Sequence, residues 1–99
     1  VVLDEEIAWE WARIPHFYYN FYVYQYATGL SAALALSKQI INEGKPAVER
    51  YLNFLSSGSS RSSIDLLRGA GVDMTTPEPI QQAMDQFDAL LDELETLSA

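Results

Sequence analysis

The side chains best equipped for chemistry crowd into one short stretch, HFYYNFYVYQYATG, from His16 to Gly29. Five of the chain's six tyrosines fall between Tyr18 and Tyr26, and His16 is the only histidine. A phenol with a pKa of about 10 keeps its proton at neutral pH, so it is a steady hydrogen-bond donor. An imidazole beside it can donate as well. A core is ordinarily built from Leu, Ile, Val and Phe, which bring no hydroxyl that must be satisfied. Taken singly, His16 reads as a structural histidine and each tyrosine as a half-buried packing group. Together, on a segment free of Lys, Arg, Asp and Glu from Ile14 to Ser37, they form a row of donors suited to carbonyl oxygens or a developing oxyanion.

The inventory for other chemistries is thin. A zinc hydrolase motif of the His-Glu-x-x-His type needs two histidines on one helix, and this chain has one. Serines and acids abound, but no Gly-x-Ser-x-Gly elbow supports a Ser-His-Asp triad. No phosphate-binding Gly-rich loop is present, and Gly69 to Asp73 (GAGVD) is too short to count as a dinucleotide fingerprint. Gly58 and Arg61, in the stretch SSGSSRSS, could contact a peptide backbone or a terminal carboxylate.

The chain has 99 residues, 48% of them hydrophobic, enough for a single small core. Fourteen acids against six bases give a net charge of -8, which opposes binding to nucleic acid or to an anionic membrane. Absent cysteines exclude disulfides and thiolate metal sites and fit a cytoplasmic setting. The uncharged run from Ile14 carries Asn20, Gln25, Thr28, Ser31 and the tyrosines, so it reads as a buried helix facing something polar rather than a membrane span.

These residues need elements to hold them. Asp4 is placed to cap a first helix carrying Ile7, Trp11 and Ile14, which Pro15 ends. The tyrosine segment alternates like a strand but has no second strand to pair with. It runs without a turn signal into Leu30, Ala33, Leu34, Ser37, Ile40 and Ile41 at helical spacing. One long helix from about Tyr19 to Asn42, ending near Gly44, is therefore expected, with Tyr18, Tyr22 and Tyr26 on one side and Tyr24 pointing elsewhere. Pro46 opens a third helix with the stripe Val48, Tyr51, Leu52 and Leu55. Ser56 to Ser63 reads as a flexible connector, after which Ser62 or Ser63 caps a short helix that Gly69 or Gly71 terminates. Thr76 and Pro77 start the last helix, with Ile80, Ala83, Met84, Phe87, Leu91 and Leu94 on one face and a solvated acidic face opposite. The sum is an all-α segment of four to five helices over residues 1–99.

The stretch IPHFYYNFYVYQYATGLSAALAL, with ERYLNFLSSGSSRSSIDLLRGAGVDMTTPEPI, resembles the C-terminal end of the oligoendopeptidase F family, within the thimet oligopeptidase-like zinc metallopeptidase superfamily. The resemblance implies the C-terminal part of a mostly helical, zincin-type catalytic domain that cleaves short peptides in a cleft. It implies zinc in the parent enzyme, held on a His-Glu-x-x-His helix outside this chain, so that this chain binds no metal and is inactive alone. It implies that His16 and Tyr24 stabilise the tetrahedral intermediate, and that Tyr18, Tyr22 and Gly58 contact substrate. The expected partners are short peptides, the remaining N-terminal part of the same enzyme, and a second copy through the exposed cleft face, but neither nucleic acid nor membrane. The alternative is a non-catalytic helical module that binds peptides or a protein through the same aromatic face.

Overall fold

The computed structural model describes residues 2–98. Two 3-10 segments, Glu5–Arg13 and Pro15–Tyr18, lead into four helices: α1 Tyr24–Glu43, α2 Lys45–Ser56, α3 Ser63–Gly69 and α4 Glu78–Ser98. No strand occurs among the described residues, so the chain is all-α as its periodicity predicts. α1 packs on α4 along one side and on α2 along the other, and α3 packs on α2. Among the described residues no helix is long and apolar enough to cross a membrane.

Most element ends follow from local chemistry. Gly44 closes α1 at φ +68°, and its N–H donates to the Ile40 carbonyl at 3.0 Å. Pro46 sits in the first turn of α2, where its missing N–H costs nothing. Ser62 caps α3, its hydroxyl oxygen accepting from the Asp65 N–H at 3.2 Å. The Asp73 carboxylate then ties the α3–α4 connection, accepting from Arg68 Nε at 2.9 Å, Thr75 Oγ1 at 2.6 Å and the Thr75 N–H at 2.9 Å. The Arg68 guanidinium, followed by the Thr75 donors, holds the Asp73 carboxyl well below the usual carboxylate range.

Four expectations are corrected. The first segment is a 3-10 helix, and Asp4 occupies its cap position in extended conformation without a side-chain cap bond. None of its residues is buried, and a helix this short is marginal when no packing supports it. The long helix begins at Tyr24 rather than near Tyr19, because Phe21 takes φ +58°. That value lies in the left-handed region, which a bulky residue rarely enters and a right-handed helix cannot pass through. Finally, the uncharged run is not a buried helix: only Ser31, Ala32, Ala35 and Leu36 of α1 are buried, and every tyrosine ahead of them is exposed. On α2, Leu52 and Leu55 are exposed, while Ala47 is buried and Phe54 turns with Tyr51 to the core.

The core is small. Ala32, Ala35, Leu36, Ala70 and Val72 are buried, with Tyr51, Phe54, Leu67 and Met74 packed against them. Alanines at the contacts let the helices approach closely but bury little apolar area each. The Cα radius of gyration is 17.5 Å, against about 13 Å for a compact chain of this length. Long apolar faces therefore stay open. On α4 only Ala83 of the predicted stripe is buried, while Ile80, Met84, Phe87, Leu91 and Leu94 are exposed. Several of them line a groove of about 390 Å³ against Ala27, Leu30 and Leu34 of α1.

Two polar links cross the core edge. Gln39 Nε2 on α1 donates to the Gly71 carbonyl at 2.6 Å, and Arg50 Nη2 on α2 donates to Glu43 on α1 at 2.6 Å. Gly71 has φ +99°, and a Cβ there would stand 2.6 Å from Gln39 Oε1. Gly71→Ala is expected to lower unfolding free energy by about 1–3 kcal/mol, from backbone strain plus displacement of Gln39. Denaturant titration of the variant checks this, and an unchanged midpoint contradicts it.

Candidate active site

The aromatic stretch is laid out by two breaks. Ile14 leaves the first 3-10 segment in extended conformation, and Pro15 opens the second, which carries His16, Phe17 and Tyr18. The left-handed Phe21 then reverses the chain before α1. Val23, the residue ahead of α1, offers no capping side chain, and Gln25 Nε2 donates to the Phe21 carbonyl at 3.3 Å.

This path folds His16 against rings that follow it. The imidazole stacks on Tyr22 with centroids 5.3 Å apart and planes 29° apart. It meets Tyr26 edge-on at 6.5 Å, and Tyr22 meets Tyr26 at 5.9 Å and Tyr19 at 6.2 Å, both edge-on. Such offset and edge contacts satisfy the ring quadrupoles and restrict the imidazole's orientation. The cluster stays open to solvent, with Tyr22, the most enclosed of these tyrosines, still 38% exposed. The Tyr22 phenol beside Tyr26 pushes the Tyr26 hydroxyl above its ordinary range, so that proton is held more firmly than in a free phenol.

The expected site residues separate into four places. His16 and Tyr22 are in contact. Tyr24 lies at the start of α1, 58% exposed, and takes no part in the ring contacts around His16. Tyr18 does not share a face with Tyr22 and Tyr26, because it precedes the Phe21 turn; its hydroxyl donates back to the Ala12 carbonyl at 2.7 Å. Its one proton is thus engaged, and toward a ligand Tyr18 can only accept in this arrangement. Gly58, at φ +51°, sits in the α2–α3 connection. The structure adds Tyr19 and Tyr26 to the surroundings of His16. The four-residue step from Tyr22 to Tyr26 was visible in the sequence, whereas the position of Tyr19 depends on the turn at Phe21.

No group of three or more His, Cys, Asp or Glu side chains that could hold a metal occurs among the described residues. The phenols and the imidazole of this wall can donate hydrogen bonds to an oxygen.

The chain matches the description "Peptidase family M3" over residues 1–86. It belongs to peptidase family M3. It is 65% identical over 97 residues to Oligopeptidase PepF of Bacillus subtilis (strain 168), covering 98% of this chain and 14% of that protein. It is 46% identical over 94 residues to "Oligoendopeptidase F, plasmid" of Lactococcus lactis subsp. cremoris, covering 95% of this chain and 16% of that protein. The crystal structure of oligoendopeptidase-F from Enterococcus faecium superposes with a TM-score of 0.75 at 50% identity, over 97% of this chain and 18% of that one. The resemblance to oligoendopeptidase F carried by the tyrosine stretch and LLRGAGVDM is borne out by these M3 relatives. The chain spans less than a fifth of their length.

The phenol pair gives a direct test of the site's geometry. Tyr22→Phe is expected to bring the Tyr26 pKa down toward that of a free phenol, since the neighbouring hydroxyl that raises it is gone. Following the Tyr26 ring resonances by NMR as pH rises in the two forms checks this; an unshifted Tyr26 midpoint contradicts it.

Proposed function

We propose that this M3 stretch supplies one wall of the active-site cleft of a zinc-dependent oligoendopeptidase that hydrolyses short peptides. In this reading His16 and Tyr24 donate hydrogen bonds to the oxygen that gains negative charge when water adds to the scissile carbonyl. Tyr22, and Tyr18 as an acceptor, border the bound peptide, and Gly58 lies in a loop at the cleft margin. The observation that carries the reading is the exposed imidazole, oriented by Tyr22 and Tyr26 and followed closely in the chain by the exposed phenol of Tyr24.

The physical case is differential binding. A carbonyl oxygen in the bound peptide is a modest acceptor, whereas the same oxygen in the tetrahedral intermediate carries nearly a full charge. Fixed donors therefore stabilise the intermediate more than the substrate, and this lowers the barrier. Phenols suit the task because they need no proton from solvent and carry no charge to attract water. Among the described residues, no group of three or more His, Cys, Asp or Glu is placed to hold zinc. The metal that the resemblance implies belongs, in this reading, to the remainder of the polypeptide, and this stretch alone cleaves nothing. A cytoplasmic setting belongs to the same reading, and the cysteine-free stretch itself needs no oxidising compartment.

In the whole polypeptide, Tyr24→Phe is expected to lower kcat about 100-fold with little change in KM, as for loss of one oxyanion donor. Steady-state kinetics on a short peptide tests this. A variant with unchanged kcat, or one altered only in KM, removes Tyr24 from the role.

A further inference from the structure

α4 is covered over only part of its length. Its buried residues are Pro79 and Ala83, both in the first two turns. The apolar positions continue beyond them. Ile80, Ala83, Phe87, Leu90, Leu94 and Leu97 follow one another at alternating steps of three and four, which is the spacing of a coiled-coil seam. All but Ala83 are exposed, and the exposed Met84 and Leu91 widen the stripe. α4 thus carries a helix-binding seam well past the point where α1 covers it.

Charge on this helix has one sign. Glu78, Asp85, Asp88, Asp92, Glu93 and Glu95 are acids, and no Lys, Arg or His accompanies them. Among the described residues none of these six forms an ion pair. Lys38 of α1 lines a cavity with Gln82 and Gln86, and it does not pair with them either. Three of the acids border the stripe: Asp88 lies one helical step from Met84 and Leu91, Glu95 from Leu91, and Glu93 from Leu90 and Leu97. Glu95 also stands in the last turn, where the helix dipole favours a cation and none is supplied.

An apolar seam flanked on both sides by unpaired carboxylates describes its partner. Two copies of α4 laid together would set acid against acid, which suppresses pairing. A helix with its own apolar stripe and with Lys or Arg at the flanks matches both features. This chain spans less than a fifth of the relatives it matches, so a polypeptide of their length has ample chain to supply such a helix.

We propose that the outer half of α4 is a docking strip for a base-flanked amphipathic helix from the remainder of the same polypeptide. The seam supplies the attraction, and the carboxylates select the helix and its register. The docking holds whether or not the polypeptide cleaves peptides.

The whole polypeptide carrying the photo-cross-linker p-benzoylphenylalanine in place of Leu94, and in a second variant in place of Leu91, tests this. A third variant carries it in place of Asp85, on the far face of α4 from the stripe. After irradiation the first two should be cross-linked within one chain. Mass spectrometry of the digest should place the link in a segment outside this stretch, with Lys or Arg three or four residues from the captured side chain. The Asp85 variant should not capture that segment. A product of twice the chain mass gives the strip to a second copy and overturns the proposal. Links confined to this stretch, equal capture from Asp85, or no capture at all also overturn it, and so does a captured segment without bases. Independently, Asp88→Lys combined with Glu93→Lys should lower the melting temperature of the whole polypeptide at low salt, with a smaller loss at high salt. An unchanged or raised melting temperature, the result expected if the reversal merely relieves repulsion among the acids, overturns the charge matching.

Discussion

The left-handed turn at Phe21 is the constraint on which the aromatic wall depends. It stops α1 from extending back through the tyrosines, and it returns the chain so that His16 meets Tyr22 and Tyr26. A bulky residue at positive φ costs on the order of 1–3 kcal/mol, a cost that surrounding contacts must offset. Here the offsetting contacts are the rings themselves and the Gln25 bond to the Phe21 carbonyl. Had the helix run on from Tyr19, Tyr18, Tyr22 and Tyr26 would have formed a plain stripe, with the histidine displaced from it.

The same openness appears throughout the molecule. Packing through Ala32, Ala35 and Ala83 brings helices close but leaves the larger apolar side chains of α4 on the surface. Phe87 is 57% exposed beside the α1 groove. Isolated apolar side chains on a surface mean little, whereas a contiguous apolar groove marks a face that other protein or ligand covers. The polar links at Gln39–Gly71, Arg50–Glu43 and Arg68–Asp73 set the geometry of α1, α2 and the α3–α4 connection without a large core.

Helical class, the cap at Ser62, the stop at Gly44 and the proline at the start of α2 were all legible, because each rests on local stereochemistry. Burial was much less so. Leu52 and Leu55 carry the same periodic signal as core residues, yet they face outward, since period reports which residues share a face and not what covers it. The start of α1 was missed because Phe21 has no glycine or asparagine to announce positive φ, so the turn is imposed by tertiary contacts. At the site, the joint placement of His16 with tyrosines could be read from composition, but which of them touch it could not. Tyr18 drops back to the Ala12 carbonyl for reasons that lie in the 3-10 segments, whose formation the helical spacing of Ile7, Trp11 and Ile14 does not reveal.

The most direct measurement is a crystal structure of the whole polypeptide bound to a phosphinic peptide, whose tetrahedral phosphorus mimics the addition intermediate. The Tyr24 hydroxyl and a nitrogen of His16 are expected within about 3 Å of a phosphinyl oxygen. A bound inhibitor whose oxygens find their donors elsewhere, with the tyrosines of this segment turned away from it, would contradict the assignment of this stretch as the oxyanion-stabilising wall.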